Sequence, residues 1–333
     1  MPKFVAPEFW HQTPPAWQAR ALAPLGALYG AITASRMHRP GTQLPCPVIC
    51  IGNFTAGGTG KTPMVQVVAR LLLAKGHKPF ILSRGYGGAG HRMPVRVDPA
   101  HHSALDVGDE PLLLARTAAV IVCANRLAGA NLALQSGANV LVMDDGLQNP
   151  ALAKNLGIAM VDGKTGFGNG FCVPAGPLRA PLPAQWPHVA ALVIVGDGEA
   201  GDRVALGASA AGKPVFRARL VPDPFVASQL AGQPVLAFVG IGRPSKFFET
   251  LEVLGAHLVA RKAFPDHHVY SAGEIQQLQA QARSCGAVLV TTEKDLMRTG
   301  PWPGTEQPLA LPVTLVLDDA EGFDRLVGSA LRL

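Results

Sequence analysis

The residues Asn53-Phe-Thr-Ala-Gly-Gly-Thr-Gly-Lys-Thr62 have the composition needed to hold a triphosphate. Glycines let backbone N–H groups close around phosphate oxygens, and a helix opening after them adds its positive end. Lys61 is spaced to reach the β- and γ-phosphates, and the Thr62 hydroxyl to bind Mg²⁺. The nucleotide-contacting set is therefore Thr55, Ala56, Gly57, Gly58, Thr59, Gly60, Lys61 and Thr62. The general pattern G-x-x-x-x-G-K-[ST] has glycine where this chain has Thr55, and the added Gly57 and Gly58 compensate. The competing reading is a glycine turn with a chance Gly-Lys-Thr. Against it stands NVLVM (139–143), an apolar strand running into Asp144 and Asp145. An acid at the carboxyl end of a parallel strand is what a phosphate-loop protein needs beside its metal, so Thr62 with Asp144 or Asp145 is the candidate metal set.

These residues need a frame to hold them. PVICIG (47–52) reads as a buried strand before the loop, and MVQVVARLLLAK (64–75) as a helix ending at Gly76. Further strands are expected at 79–82, 119–123, 157–161 and 191–195, with helices at 111–116 and 126–135. Such alternation implies an α/β fold, a P-loop NTPase-like parallel sheet flanked by helices on both faces. A chain of 333 residues also exceeds the ~250–300 at which one core stops growing. The polar, proline-marked strand near 213–223 reads as the passage into a second, smaller α/β domain. That unit is expected to hold strands at 235–239 and 287–291 and helices at 245–254 and 271–284. The expected organisation is an N-terminal helical segment (1–40), a phosphate-loop core (41–222) and the smaller α/β unit (223–333).

With 48% hydrophobic and 16% charged residues the chain can bury a core, and its glycines and prolines are scattered, which excludes wholesale disorder and fibrous repeats. A net charge of +6 favours anionic partners, phosphates or acidic lipid. Nucleic acid is disfavoured, because Arg84-Gly-Tyr-Gly-Gly88 is a single arginine-glycine copy and no basic run is present. Five cysteines without a C-x-x-C pair fit a reduced protein with no structural metal. A partitioning or assembly ATPase would carry a signature lysine where Ala56 stands. A GTPase would need N/T-K-x-D, and the nearest string, Thr292-Glu-Lys-Asp295, has its lysine misplaced. A P-loop ATPase switch or assembly factor at the membrane is the alternative to group transfer.

Residues 21–34 form an uncharged stretch, shorter than the ~20 apolar residues a spanning helix needs. At helical spacing Trp17, Ala21, Leu25, Leu28, Tyr29 and Ile32 share one face, with Arg20, Arg36, His38 and Arg39 near its ends. That suits a helix lying on an anionic membrane surface; the alternative is a helix packed on the main domain, with Pro24 near a kink or start. Trp10, Trp17 and Tyr29 favour the interface.

Seven strings in order combine into a resemblance: NFTAGGTGKTP (53–63), SRGY (83–86), VGDEP (107–111), DDGLQ (144–148), PAGPLR (174–179), FPDHH (264–268) and TTEKD (291–295). Together they resemble the tetraacyldisaccharide 4'-kinase family, the lipid A 4'-kinases of Gram-negative bacteria. The resemblance implies ATP and Mg²⁺ as cofactors and a tetraacylated glucosamine disaccharide 1-phosphate as the glycolipid acceptor. It further implies two lobes, a membrane-docking N-terminal helix, a place at the cytoplasmic face of the inner membrane and no obligate protein partner. In its VGDEP motif the Asp is the base, here Asp109, the alternative being a helix cap before Pro111. The family pairs that Asp with a His, here His267, although His268 follows directly. Arg179 is implied in phosphate or substrate contact and Glu110 as a further metal ligand. Arg84 and Tyr86 suit either substrate placement or a structural turn.

Overall fold

The computed structural model describes residues 6–300, 302 and 307–331. Its strands, in chain order, are β1 (Val48–Asn53), β2 (Pro79–Ser83), β3 (Val95–Arg96), β4 (Ala119–Val122), β5 (Val140–Asp144), β6 (Leu156–Asp162), β7 (Ala191–Val195) and β8 (Val215–Pro222). They continue as β9 (Pro234–Val239), β10 (His257–Ala263), β11 (Val288–Thr292), β12 (Leu309–Leu311) and β13 (Val313–Leu317). The helices begin with α1 (Trp17–Met37), α2 (Lys61–Ala74), α3 (Ala104–Val107), α4 (Asp109–Ala115), α5 (Arg126–Gln135) and α6 (Leu182–Gln185). They end with α7 (Glu199–Ala210), α8 (Pro224–Leu230), α9 (Pro244–Val253), α10 (Ala272–Ser284), α11 (Glu293–Arg298) and α12 (Ala320–Ala330).

A nine-stranded sheet of order β13-β8-β7-β6-β1-β5-β2-β4-β3 forms the body of the molecule. It is parallel except for its two edges, where β13 and β3 run antiparallel to β8 and β4. The inner strands are continuous apolar runs, and every residue of β1, β5 and β6 is buried, as a sheet covered on both faces requires. On one face Met64, Val65, Val68 and Leu72 of α2 pack with Ile49, Ile51, Val142 and Ile158. On the other, Ala130 and Ala133 of α5 lie on Cys50, Leu141 and Met143, while Val204 and Ala208 of α7 lie on Leu192 and Ile194.

A second, four-stranded parallel sheet has the order β10-β9-β11-β12. Successive residues of β9 point to opposite faces, so Val235, Ala237 and Val239 meet Phe247 and Leu251 of α9 while Leu236 and Phe238 meet Ile275 and Leu278 of α10. The expected unit 223–333 is therefore interrupted. β13 pairs with β8 of the first sheet, and Phe323 and Val327 of α12 join the first core beside α2. The expected strand near 213–223 is β8, an integral parallel strand of the first sheet. Its mixed burial reflects its place next to the antiparallel edge.

The N-terminal helix α1 is longer than the uncharged stretch and contains Pro24, which removes the N–H that would bond the Arg20 carbonyl. Gly26 and Gly30 form its docking face. A Cβ on Gly26 would lie 2.6 Å from the Cys172 carbonyl oxygen, and one on Gly30 would lie 2.9 Å from the Cys172 sulfur. Docking through glycines leaves the bulky face outward: Trp17 is 75% exposed, Leu28 61% and Leu25 57%, with Tyr29 and Ile32 also exposed. Trp10 differs from expectation. It is fully buried and its indole N–H donates to the Pro174 carbonyl at 2.9 Å, so its ring is a core group and not an interfacial one. Among the described residues no helix is long and apolar enough to cross a membrane. A Gly26→Leu substitution is expected to cost about 1–3 kcal/mol by overpacking and to loosen α1 from the body. Thermal unfolding with limited proteolysis checks this, and an unchanged Tm with a protected α1 would refute docking through the glycine face.

Candidate active site

The phosphate loop joins β1 to α2 at the carboxyl edge of the large sheet, where strand order turns from β5-β2-β4 on one side to β6-β7-β8 on the other. Ligands of open α/β sheets bind at such a reversal. Gly60 precedes α2 with φ of 79°, a left-handed conformation that glycine reaches without strain. The Asn53 side chain donates to the Gly57 carbonyl at 3.2 Å and steadies the loop from within. From outside, the 172–181 segment backs it: the Ala56 N–H donates to the Pro177 carbonyl at 2.7 Å, and Arg179 Nε donates to the Thr55 carbonyl at 3.1 Å. Thr55 and Ala56 thus anchor the loop to the 172–181 segment, ahead of its glycine stretch.

Parallel pairing of β1 with β5 sets Ile51 beside Asp144 and brings the acidic pair to the loop. Asp145, with φ of 52°, donates its N–H to the Ile51 carbonyl at 2.9 Å. Its carboxylate accepts from Arg179 Nη1 at 2.8 Å and lies 3.8 Å from Lys61 Nζ. Burial works to raise the Asp145 carboxyl, but Lys61 and Arg179 outweigh it and hold it low. Asp144 is different. One of its oxygens accepts from Ser83 Oγ at 3.2 Å, and the other is buried without a partner. Burial first, then the charges of Glu110 and Asp145, push its carboxyl up to about 7.

Asp109 opens α4 and is almost completely buried. Its Oδ1 accepts the Glu110 N–H at 3.0 Å, while Oδ2 lies 3.4 Å from His267 Nδ1 and 2.9 Å from Arg298 Nε. Burial opposes the charge, yet the His267 ring and the Arg298 and Lys294 charges hold this carboxyl at about 2. The same contact raises the His267 imidazole above its ordinary value, against burial. His268, the other candidate, points away: its Nε2 lies 3.0 Å from Glu274 Oε1 and its ring stacks on Phe264. Tyr86 packs edge-on against His267 at 5.2 Å between ring centroids, so the SRGY loop reaches this pair. Glu110 links the two halves of the site, accepting from Thr62 Oγ1 at 3.3 Å and pairing closely with Lys294.

Sequence reasoning missed four basic residues. Lys294 and Arg298 come from the second unit, on the helix that continues the TTEKD string, and that string was the available signal. Arg126 starts α5 and donates to the Asp144 carbonyl at 3.0 Å. Arg243, before α9, pairs with Asp162 at the end of β6 and donates to the Gly58 carbonyl at 3.4 Å. Neither of these two carries any motif.

The profile of the LpxK family, tetraacyldisaccharide-1-P 4'-kinase, matches residues 18–332. The chain belongs to this family. A tetraacyldisaccharide 4'-kinase from Methylobacterium sp. (strain 4-46) is 54% identical over 329 residues, covering 98% of each chain. One from Methylorubrum extorquens (strain PA1) is 58% identical over 294 residues, covering 88% of each. The crystal structure of LpxK from Aquifex aeolicus in complex with ATP has a TM-score of 0.73 and 28% identity, covering 94% of this chain and 99% of that one.

The arrangement in this family member has two ends: the glycine-rich loop with Lys61 at one, a buried carboxylate–imidazole pair at the other. As for the metal, no group of three or more His, Cys, Asp and Glu side chains suited to an ion occurs among the described residues. Mg²⁺ carried by a nucleotide needs only one or two carboxylates. The unpartnered oxygen of Asp144 and its raised proton affinity fit that demand. Asp145 is engaged by Lys61 and Arg179, and Glu110 by Lys294, so Asp144 with Thr62 fits a cation best. Truncating Lys61 to alanine removes charge-assisted contacts worth about 1.5–3 kcal/mol. ATP affinity measured by calorimetry is expected to fall ~10- to 150-fold, and an unchanged Kd would refute the phosphate-loop role of this lysine.

Proposed function

We propose that this chain transfers the γ-phosphate of ATP to the 4'-hydroxyl of tetraacyldisaccharide 1-phosphate, forming lipid IVA in lipid A biosynthesis. Family membership supplies the reaction. The observation that carries it to atoms is the meeting of the phosphate loop with the Asp109–His267 pair, bridged by the Thr62–Glu110 contact of 3.3 Å. In this reading the glycine-rich amides and Lys61 grip the triphosphate, and Arg179 stabilises charge on the transferring group. Asp145 keeps those two cations aimed by pairing with both. Mg²⁺, when it arrives with ATP, would be held by Thr62 and Asp144 and would neutralise charge on the phosphate oxygens.

A sugar hydroxyl is a weak nucleophile and must lose its proton as it attacks. The sequence reading gave that task to Asp109. A carboxylate held at about 2 has little affinity for a proton, whereas His267 is half-buried and raised above its ordinary value. This supports His267 as the acceptor of the hydroxyl proton, with Asp109 orienting the ring and stabilising the imidazolium that forms.

The exposed face of α1 supports a peripheral position on the cytoplasmic leaflet of the inner membrane. Trp17, Leu25, Leu28 and Ile32 point outward beside the exposed Arg20, Arg36 and Arg39, which suits insertion of apolar side chains under anionic headgroups. Replacing Leu25, Leu28 and Ile32 together by serine is expected to lower co-sedimentation with anionic vesicles several-fold while soluble ATP affinity stays unchanged. Full vesicle binding by that variant would refute α1 as the contact.

Label transfer from [γ-³²P]ATP to the tetraacyldisaccharide in detergent micelles tests the reaction. Because the neutral imidazole is the active form, kcat/KM should rise with pH through the raised His267 value. In Asp109→Asn the raising partner is gone, so that limb should move to lower pH and the plateau should drop ~10²- to 10⁴-fold. A limb unchanged by Asp109→Asn would refute the pair, and ATP hydrolysis without labelled lipid would refute the acceptor.

A further inference from the structure

The TTEKD string and the helix it opens have no assigned task in phosphate binding or proton transfer, yet α11 reaches the centre of the site. We infer that Arg298 is a positioning residue for the Asp109–His267 pair, and that through α11 the second unit completes the site on the first. The inference rests on the reading of that pair given above.

Arg298 is buried, and its contacts divide between the two units. On its own side Nη1 donates to the Gly240 carbonyl at 2.8 Å and lies 3.4 Å from Asp295 Oδ1, while Nε donates to the Lys294 carbonyl at 3.2 Å. Asp295 is itself fixed: it accepts from Tyr270 Oη at 2.7 Å, from the Gly240 N–H at 2.8 Å and from Thr292 Oγ1 at 2.6 Å. The guanidinium is thus held rigidly before it meets the first unit, where Nε lies 2.9 Å from Asp109 Oδ2.

The same oxygen faces His267. The His267 backbone N–H donates to the Gly240 carbonyl at 3.1 Å, so the His267 backbone and the Arg298 guanidinium share one carbonyl oxygen, while the imidazole and the guanidinium flank one carboxylate oxygen. Gly240 suits this close approach, because a Cβ there would lie 3.0 Å from the Pro265 carbonyl oxygen and 3.2 Å from Asp295 Oδ1. One turn earlier on α11, Lys294 pairs with Glu110, the neighbour of Asp109. Two cations four residues apart therefore stand against two adjacent carboxylates; Asp109 Oδ1 accepts the Glu110 N–H, while Oδ2 accepts no hydrogen bond among the described residues and is held by charge between Arg298 and His267. Without Arg298 the carboxylate can turn away from His267, and the ring loses the partner that orients it.

A merely structural role would lower stability and leave kcat alone. The test compares Arg298→Gln, Arg298→Lys, Asp109→Asn and the double variant Asp109→Asn with Arg298→Gln, reading kcat, KM for ATP and Tm for each full-length protein. Arg298→Gln is expected to lose ~30- to 300-fold in kcat with KM for ATP within ~3-fold, and Arg298→Lys to fall between it and wild type. In the Asp109→Asn background the Arg298→Gln change should cost less than ~3-fold, because its effect passes through Asp109. Full multiplication of the two losses, or a wild-type kcat in Arg298→Gln with only Tm lowered, would overturn the inference. If Arg298→Gln does not fold, Arg298→Lys decides: a selective fall in kcat supports positioning, and a wild-type kcat overturns it. An inactive Asp109→Asn beside a fully active Arg298→Gln removes only Arg298; a fully active Asp109→Asn removes the pair from the chemistry and this inference with it.

Discussion

Ile51 of β1 stands opposite Asp144 of β5, and everything at the site hangs from that register. Parallel strands carry their carboxyl ends to the same edge, so the phosphate loop leaving β1 and the acids leaving β5 emerge together. The register is protected on both faces. Val142 and Ile51 pack under α2, while Cys50, Leu141 and Met143 pack under α5. A slip of one residue would exchange these sets and turn the acidic pair away from the loop. The Asp145 N–H to Ile51 carbonyl bond closes the register at its functional end.

Ion pairing reaches three of the four carboxylates at the site. Asp109, Glu110 and Asp145 are each matched by cations: Arg298 and His267, Lys294, and Lys61 with Arg179. Asp144 is buried among them with one unpartnered oxygen, and accordingly its proton affinity rises while the others fall. Buried carboxylates without partners are costly, and a cation would offset that cost at Asp144. The same logic separates the members of the Asp109–His267 pair. The carboxylate is stabilised as an anion and the imidazole gains affinity for a proton.

Two surfaces connect this chemistry to its surroundings. The second unit contributes side chains at both ends of the site, with α11 at the carboxylate pair and Arg243 at the phosphate loop. The N-terminal helix contributes none. It docks by Gly26 and Gly30 on the 172–181 segment, whose Arg179 and Pro177 also brace the glycine-rich loop.

The local parts of this protein were legible in its sequence. Glycine spacing, a lysine and a threonine before a helix, and apolar runs ending in acids specify a phosphate loop on a parallel sheet, because backbone conformation and strand burial are properties of neighbouring residues. Seven strings in order made the family recognisable as well. Other features depended on contacts between distant residues, and no local pattern encodes them. The chain's return after the second sheet, placing β13 beside β8, is one; the burial of Trp10 by Pro174, 164 residues away, is another. Asp144 and Asp145 are indistinguishable as a dipeptide, and so are His267 and His268. Only the fold, by placing Lys61 and Arg179 against one acid, and Asp109 and Arg298 around one histidine, makes them different, because charge and burial act through space and not along the chain.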